Sequence, residues 1–243
     1  MFAVLLIEVN VFFIQIATHK KDSSPIHLQI VTTHLQASYD FDSGKNIQKQ
    51  VAAKHSQLKQ LRQFLQTQHA NHPGVPILIQ GDLNVNGRSS PWDGTTHSQG
   101  YLSMIKSLDV SNSKWGETLV DLQYTNLNEH PITTSDVNPK PRKGDTLKVL
   151  MSNIDYQNKQ GRYRETVLTN KKDWGNPKCL DYMLFISKQS TANTTPQTNP
   201  PSQITPKLSS AKVNPFFVKN KPYTQLSDHY GVSCTFDIPG DVI

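Results

Sequence analysis

Apolar and polar positions change rhythm several times along the chain, and each rhythm predicts an element. Val4 to Ile16 is dominated by Val, Ile and Phe, which predicts one or two core strands. Thr18 to Pro25 is a polar turn. Ile26 to Thr33 alternates apolar and polar residues, as a half-buried strand does. A polar loop, Ser38 to Lys45, follows. Val51, Leu58, Leu61, Phe64 and Leu65 then recur at helical spacing with Lys, Arg and Gln between them. That amphipathic helix ends near His72-Pro73-Gly74. Val75 to Ile79 predicts a short strand stopped by Gly81, and a second helix falls around Ser98 to Leu108. Glu117 to Gly161 holds several prolines and few apolar pairs, and reads as long loops. Leu180 to Ser187 is again a strand. Gln189 to Ser210 is a Thr/Gln/Asn/Pro/Ser tract with almost no apolar content, read as a mobile low-complexity insertion. Val213 to Val218 and Val232 to Ile238 supply the last strands. Helices and strands alternate and no repeat is visible, so the pattern predicts one mixed α/β sandwich domain over residues 1–243.

Composition modifies this picture only slightly. Hydrophobic residues make up 35% and charged residues 18%, with Gln, Asn, Ser and Thr filling the difference, which points to polar loops on a folded domain. The net charge of +6 suits an anionic partner, either nucleic acid or a phospholipid headgroup layer. No run of five basic residues concentrates it, so a scattered solvated face explains the charge equally well. The two cysteines, Cys179 and Cys234, sit beside apolar runs and read as buried free thiols; their number excludes a disulfide scaffold. Met1 to Ala17 lacks a basic flank and carries Glu8 and Asn10, so it reads as core strand rather than export signal or membrane span. The compartment stays open.

Four short clusters carry candidate chemistry, each where an apolar strand stops or starts. They are Thr33-His34-Leu35-Gln36-Ala37, Gly81-Asp82-Leu83-Asn84-Val85, Leu180-Asp181-Tyr182 and Ser227-Asp228-His229-Tyr230. Asp82 and Asn84 lie two apart past a strand end and can face one way. Their oxygens suit Mg²⁺ or another divalent cation, which keeps waters and takes phosphate oxygens. His229 titrates near neutrality and can serve as a general base once a partner holds one ring nitrogen; Asp181 is the candidate partner. His34 adds a second imidazole and Asp228 a second carboxylate beside the base. The sum is metal-assisted attack of water on phosphorus.

These signatures resemble, in order, those of the endonuclease/exonuclease/phosphatase superfamily. Thr33-His34-Leu35-Gln36-Ala37 and Leu226-Ser227-Asp228-His229-Tyr230-Gly231 are similar to the neutral sphingomyelinase branch. His130-Pro131-Ile132-Thr133 with Asp136, and Glu165 to Thr169, fit the same branch. The resemblance runs from about Val11 to Phe236. It implies a four-layer α/β/β/α sandwich of the DNase I type and hydrolysis of sphingomyelin to ceramide and phosphocholine at a membrane surface. It also implies His229 as base, Asp181 as its orienting carboxylate, and Asp82, Asn84 and His34 around water, phosphate or metal, with Asp228 next to the metal. An aromatic hairpin that enters lipid would correspond to Phe216-Phe217.

The resemblance further implies that this chain is the C-terminal two-thirds of such a domain. The family's metal-holding Glu lies well upstream of Thr-His-Leu-Gln, and Glu8, in Leu6-Ile7-Glu8-Val9, is the sole candidate for it here. Three functions follow: a sphingomyelin phosphodiesterase, weak or inactive if that Glu is absent; a nuclease of the same superfamily; or a non-catalytic truncated paralogue that binds membrane or a partner.

Overall fold

The structure is a computed structural model and describes residues 3–6, 11–18, 26–38, 44–91, 93–111, 116–134, 177–188, 204–216 and 227–238. In chain order the elements are β1 (Ala3–Leu6), β2 (Val11–Thr18), β3 (Ile26–His34), α1 (Gly44–Asn71), β4 (Ile77–Asp82), β5 (Arg88–Ser90), β6 (Asp93–His97), α2 (Gln99–Leu108), β7 (Glu117–Asp121), α3 (Leu122–Leu127), β8 (Asp181–Lys188), β9 (Thr205–Asn214) and β10 (Gly231–Asp237).

Six strands form one sheet in the order β1-β2-β3-β4-β8-β7. Its pairs are antiparallel except β3–β4, which run parallel because α1 crosses between them. β4 shows why its residues were chosen. Ile77 and Ile79 are buried on one face and Leu78 on the other, since both faces of the strand are covered.

On the first face lie α1 and α2, whereas α3 buries Leu122 on the opposite one. α1 has no internal proline and stops before Pro73, and it buries Leu58, Leu61 and Leu65 at one-face spacing. α2 is capped by Ser98, whose side chain accepts from the Tyr101 N–H at 3.0 Å, and it buries Tyr101, Met104 and Leu108. The opposite face packs on the antiparallel pair β9–β10 through Leu28, Met183 and Phe185 against Ile204 and Ala211. The mixed α/β sandwich of the sequence reading is therefore the observed fold. Helix, sheet and sheet are three of the four implied layers, counted among the described residues.

Some readings change. The stretch read as loops from Glu117 contains β7 and α3; Asp121 ends the strand and caps the helix, its side chain accepting from Tyr124 N–H at 3.0 Å. The small hairpin β5–β6 is almost wholly polar and gave no apolar rhythm to read. The tract read as insertion to Ser210 becomes strand β9 from Thr205. Lys207, Leu208 and Ser209 are exposed there, which is why the strand tolerates so polar a sequence. The strand expected at Val213 to Val218 is the end of β9, which stops at Asn214. Both thiols are free, Cys179 buried and Cys234 only half-buried. Glu8, Asp136, Glu165 to Thr169 and Phe217 lie outside the described residues.

Candidate active site

Three adjacent strands reach the same edge together. His34 at the end of β3 is in register with Asp82 at the end of β4, and Asp82 is in register with Asp181 at the start of β8. Residues directly opposite on neighbouring strands project from the same face, so one row carries all three side chains. Gly81 permits this close approach: at φ 130° it occupies a region L-residues avoid, and a Cβ there would sit 2.1 Å from the Thr33 carbonyl oxygen.

Past β4 the chain turns sharply on its own side chains. Asn84 adopts φ 50°, a left-handed conformation that Asn tolerates. Its N–H donates to Asp82 Oδ1 at 2.8 Å. Its side-chain amide donates to the Leu35 carbonyl at 2.8 Å and to Asp82 Oδ2 at 3.0 Å. Asn84 thus ties β3 to β4 and aims the Asp82 carboxylate. Lys54 of α1 closes the turn from behind, donating to the Asn84 carbonyl at 2.5 Å.

His229 arrives from the segment before β10. Its Nδ1 lies 3.0 Å from Asp181 Oδ2 and 3.2 Å from Oδ1, while its Nε2 faces Asp82 Oδ2 at 3.9 Å. The hydrogen bond to Asp181 is the main reason that the imidazole's pKa is raised to about 9, with burial opposing it. Asp82 is pushed up in turn, first by burial and then by the negative Asp181. His34 is largely exposed and places Nε2 3.4 Å from Asp82 Oδ2.

The loop after α3 braces this group. Thr133 Oγ1 accepts from the N–H groups of Leu180 and Asp181 at 2.9 and 3.0 Å, and its carbonyl accepts from Tyr230 N–H at 2.7 Å. Thr134 Oγ1 donates to Asp181 Oδ2 at 3.3 Å and lies 3.4 Å from His229 Nδ1. Neither Thr134 nor Lys54 stood out in the sequence. The fragment ending in Thr133 was a usable signal for the first; nothing marked Lys54 beyond its place on a helix.

Of the residues singled out, the structure therefore gathers His34, Asp82, Asn84, Asp181 and His229. Asp228 is half-buried beside them, and its charge helps to raise His229. It is not among the groups whose ligand atoms lie close enough to share an ion: Asp82, Asp181 and His229, all within 4.8 Å of one another. Two carboxylates crowded at a partly desolvated edge, one with its acidity suppressed, fit a divalent cation. Phe216 is 46% exposed, and a Cβ added at Gly231 would lie 2.8 Å from its ring.

Beneath the row lies a buried polar knot. His130 has no exposed surface, its Nε2 lies 2.8 Å from His97 Nδ1, and its carbonyl accepts from Arg88 at 2.5 Å. Burial, then the neighbouring His97 and Arg88, lower its pKa to about 4. Tyr101 donates to Asp121 at 3.0 Å, and burial pushes that carboxyl up to about 6.

A sandwich whose strand ends gather two carboxylates, an amide and an oriented histidine is the architecture that the sequence signatures implied. No family model matches the chain. Against curated proteins it is 33% identical over 252 residues to a sphingomyelinase of Dictyostelium discoideum, an alignment covering 89% of this chain and 51% of that protein. On this similarity the chain is sphingomyelinase-like, the branch that its signatures resemble. It spans about half the length of the curated relative it matches. Among solved structures it is similar to beta toxin of Staphylococcus aureus, with 19% identity and a TM-score of 0.44 over 93% of this chain and 57% of that one. It is also similar to a humanized TDP2 of D. rerio, with 16% identity and a TM-score of 0.44 over 94% and 62%.

Proposed function

We propose that the chain hydrolyses phosphodiesters by direct attack of water, with sphingomyelin as substrate and ceramide and phosphocholine as products. The observation that carries this reading is the Asp82–His229–Asp181 line. Asp181 holds Nδ1 at 3.0 Å and so leaves Nε2 turned toward Asp82, where a water can be deprotonated. The homology to a sphingomyelinase supports the choice of substrate.

In this mechanism Asp181 fixes the tautomer and orientation of His229. Neutral His229 takes a proton from the attacking water at Nε2. Asp82, aimed by Asn84, orients that water and the phosphate, and His34 at the open rim donates to a phosphoryl or leaving-group oxygen. Asp82 and Asn84 are the residues we propose to hold Mg²⁺, with the Asp228 carboxylate adding its charge next to the metal and Glu8 a further candidate. The cation would supply charge neutralisation at the phosphate oxygens. Phe216 with Phe217 would rest on the lipid surface.

Purified chain incubated with sphingomyelin vesicles and Mg²⁺ tests the proposal, with His229→Ala beside it and a supercoiled plasmid as the alternative substrate. Phosphocholine release that depends on both Mg²⁺ and His229 is the expected outcome. Plasmid nicking without phosphocholine release would turn the reading to a nuclease. Silence on both substrates from a folded chain would sink hydrolysis by this chain.

A further inference from the structure

A cleft of about 860 Å³ opens between α1 and α2, reaching Asn84 at one end but lying outside the carboxylate–histidine row. Its floor is apolar. Leu58 and Met104 are buried there, and Val51 remains 38% exposed although it is a large apolar side chain. Its α1 wall is basic, carrying Lys54, Lys59 and Arg62, and among the described residues no Asp or Glu lines the cleft. Arg62 spans toward the far wall, Nη1 donating to the carbonyls of Lys106 at 3.0 Å and Ser107 at 2.9 Å. Three cations over an apolar floor, of which Lys54 feels the Asp82 carboxylate from beyond the lining, complement one kind of occupant.

We propose that this cleft binds an anionic amphiphile, a phosphate-headed lipid whose head lies against Lys54, Lys59 and Arg62 and whose chain begins along Val51, Leu58 and Met104. This ligand is distinct from the substrate proposed above. A phosphocholine head ends in a quaternary ammonium, which the three cations repel, whereas a terminal phosphate accepts from ammonium and guanidinium groups alike. The site therefore goes beyond the hydrolytic reading and does not depend on it.

Isothermal titration of the whole chain tests the proposal with single-chain lysophosphatidic acid kept below its micelle threshold. The choline ester of the same chain length and inorganic phosphate run alongside. The phosphate-headed lipid is expected to bind at least about tenfold more tightly than either comparator, and Lys59→Glu to weaken it by about tenfold. Val51→Asp, on an exposed helix position, is expected to do the same with an unchanged unfolding midpoint. Lys212→Glu changes the net charge equally on the exposed side of β9 and should leave binding intact. Equal binding of the two lipids would reduce the cleft to an unselective apolar groove, and equal binding of inorganic phosphate to a plain anion site. Matching losses in Lys59→Glu and Lys212→Glu would leave only net charge; each of these results overturns the proposal. The same titration on His229→Ala should still show binding, so failure of the hydrolytic reading and failure of this one are separable.

Discussion

His229 and His130 are the same side chain in two settings, one at the open edge of the sheet and one sealed beneath it. At the edge, Asp181 accepts from the ring and holds its proton, so the pKa is raised to about 9. In the interior, His130 meets no carboxylate at its ring among the described residues; burial and the neighbouring His97 and Arg88 lower its pKa to about 4. The strand ends collect charge at a partly open edge, whereas the His130 ring in the knot below, beside the charged Arg88, is driven to stay neutral. One histidine is placed to exchange a proton and the other to avoid one.

Removing the edge histidine gives the largest expected effect. His229→Ala should lower phosphocholine release by a factor of about 10² to 10⁴, the range for a positioned general base, with little change in the unfolding midpoint. Asp181→Asn should follow, with a loss of about 10²-fold and a diagnostic change in the pH–rate profile. Since the base must be neutral, the wild-type rate should climb with pH toward about 9, and the variant's midpoint should fall toward the ordinary histidine value.

The sealed histidine should behave in the opposite way. His130→Ala should leave turnover per folded molecule nearly intact but destabilise the chain by about 2–4 kcal/mol through the cavity it opens, read by urea unfolding. The smallest effects are the pH slopes of stability. His130, with its folded pKa depressed, contributes stability above the unfolded value of about 6.5 that is lost as pH falls toward about 4. His229, with its folded pKa raised, contributes stability in full below about 6.5 that is lost as pH rises through about 9. Unfolding midpoints measured across that range should show both slopes, with His130→Leu abolishing the acid one. A wild-type midpoint insensitive to acid would break the comparison.

Much of this was legible before the fold. Val31, Ile77, Ile79, Leu61 and Leu65 declare their faces by period alone, and Asp82, Asp181 and His229 stand at element ends where sites form. What escaped was polar or distant. β5–β6 and the first half of β9 hold few apolar side chains, so no periodicity could reveal them. Lys54 meets Asn84 only because α1 crosses over β4, and Thr134 meets His229 only through an isolated bridge. Such contacts belong to tertiary geometry and leave no local trace. Asp228 shows how little adjacency fixes: it stands next to His229 in sequence and its charge raises that ring's pKa, yet its own oxygens lie outside the Asp82, Asp181 and His229 group.

The register of the three-strand row also has a consequence for how the molecule is born. Asp82 and Asp181 are cross-strand partners although β5, β6, α2, β7 and α3 all intervene in the chain. His34 meets Asp82 only after α1 has closed a parallel crossover. Pairings of such long sequence separation form slowly, because loop-closure entropy is spent before the contact rewards it. During refolding, helical signal should return well before any Asp181–His229 hydrogen bond, so the row works as a late clock hand that reports when the whole sheet has assembled.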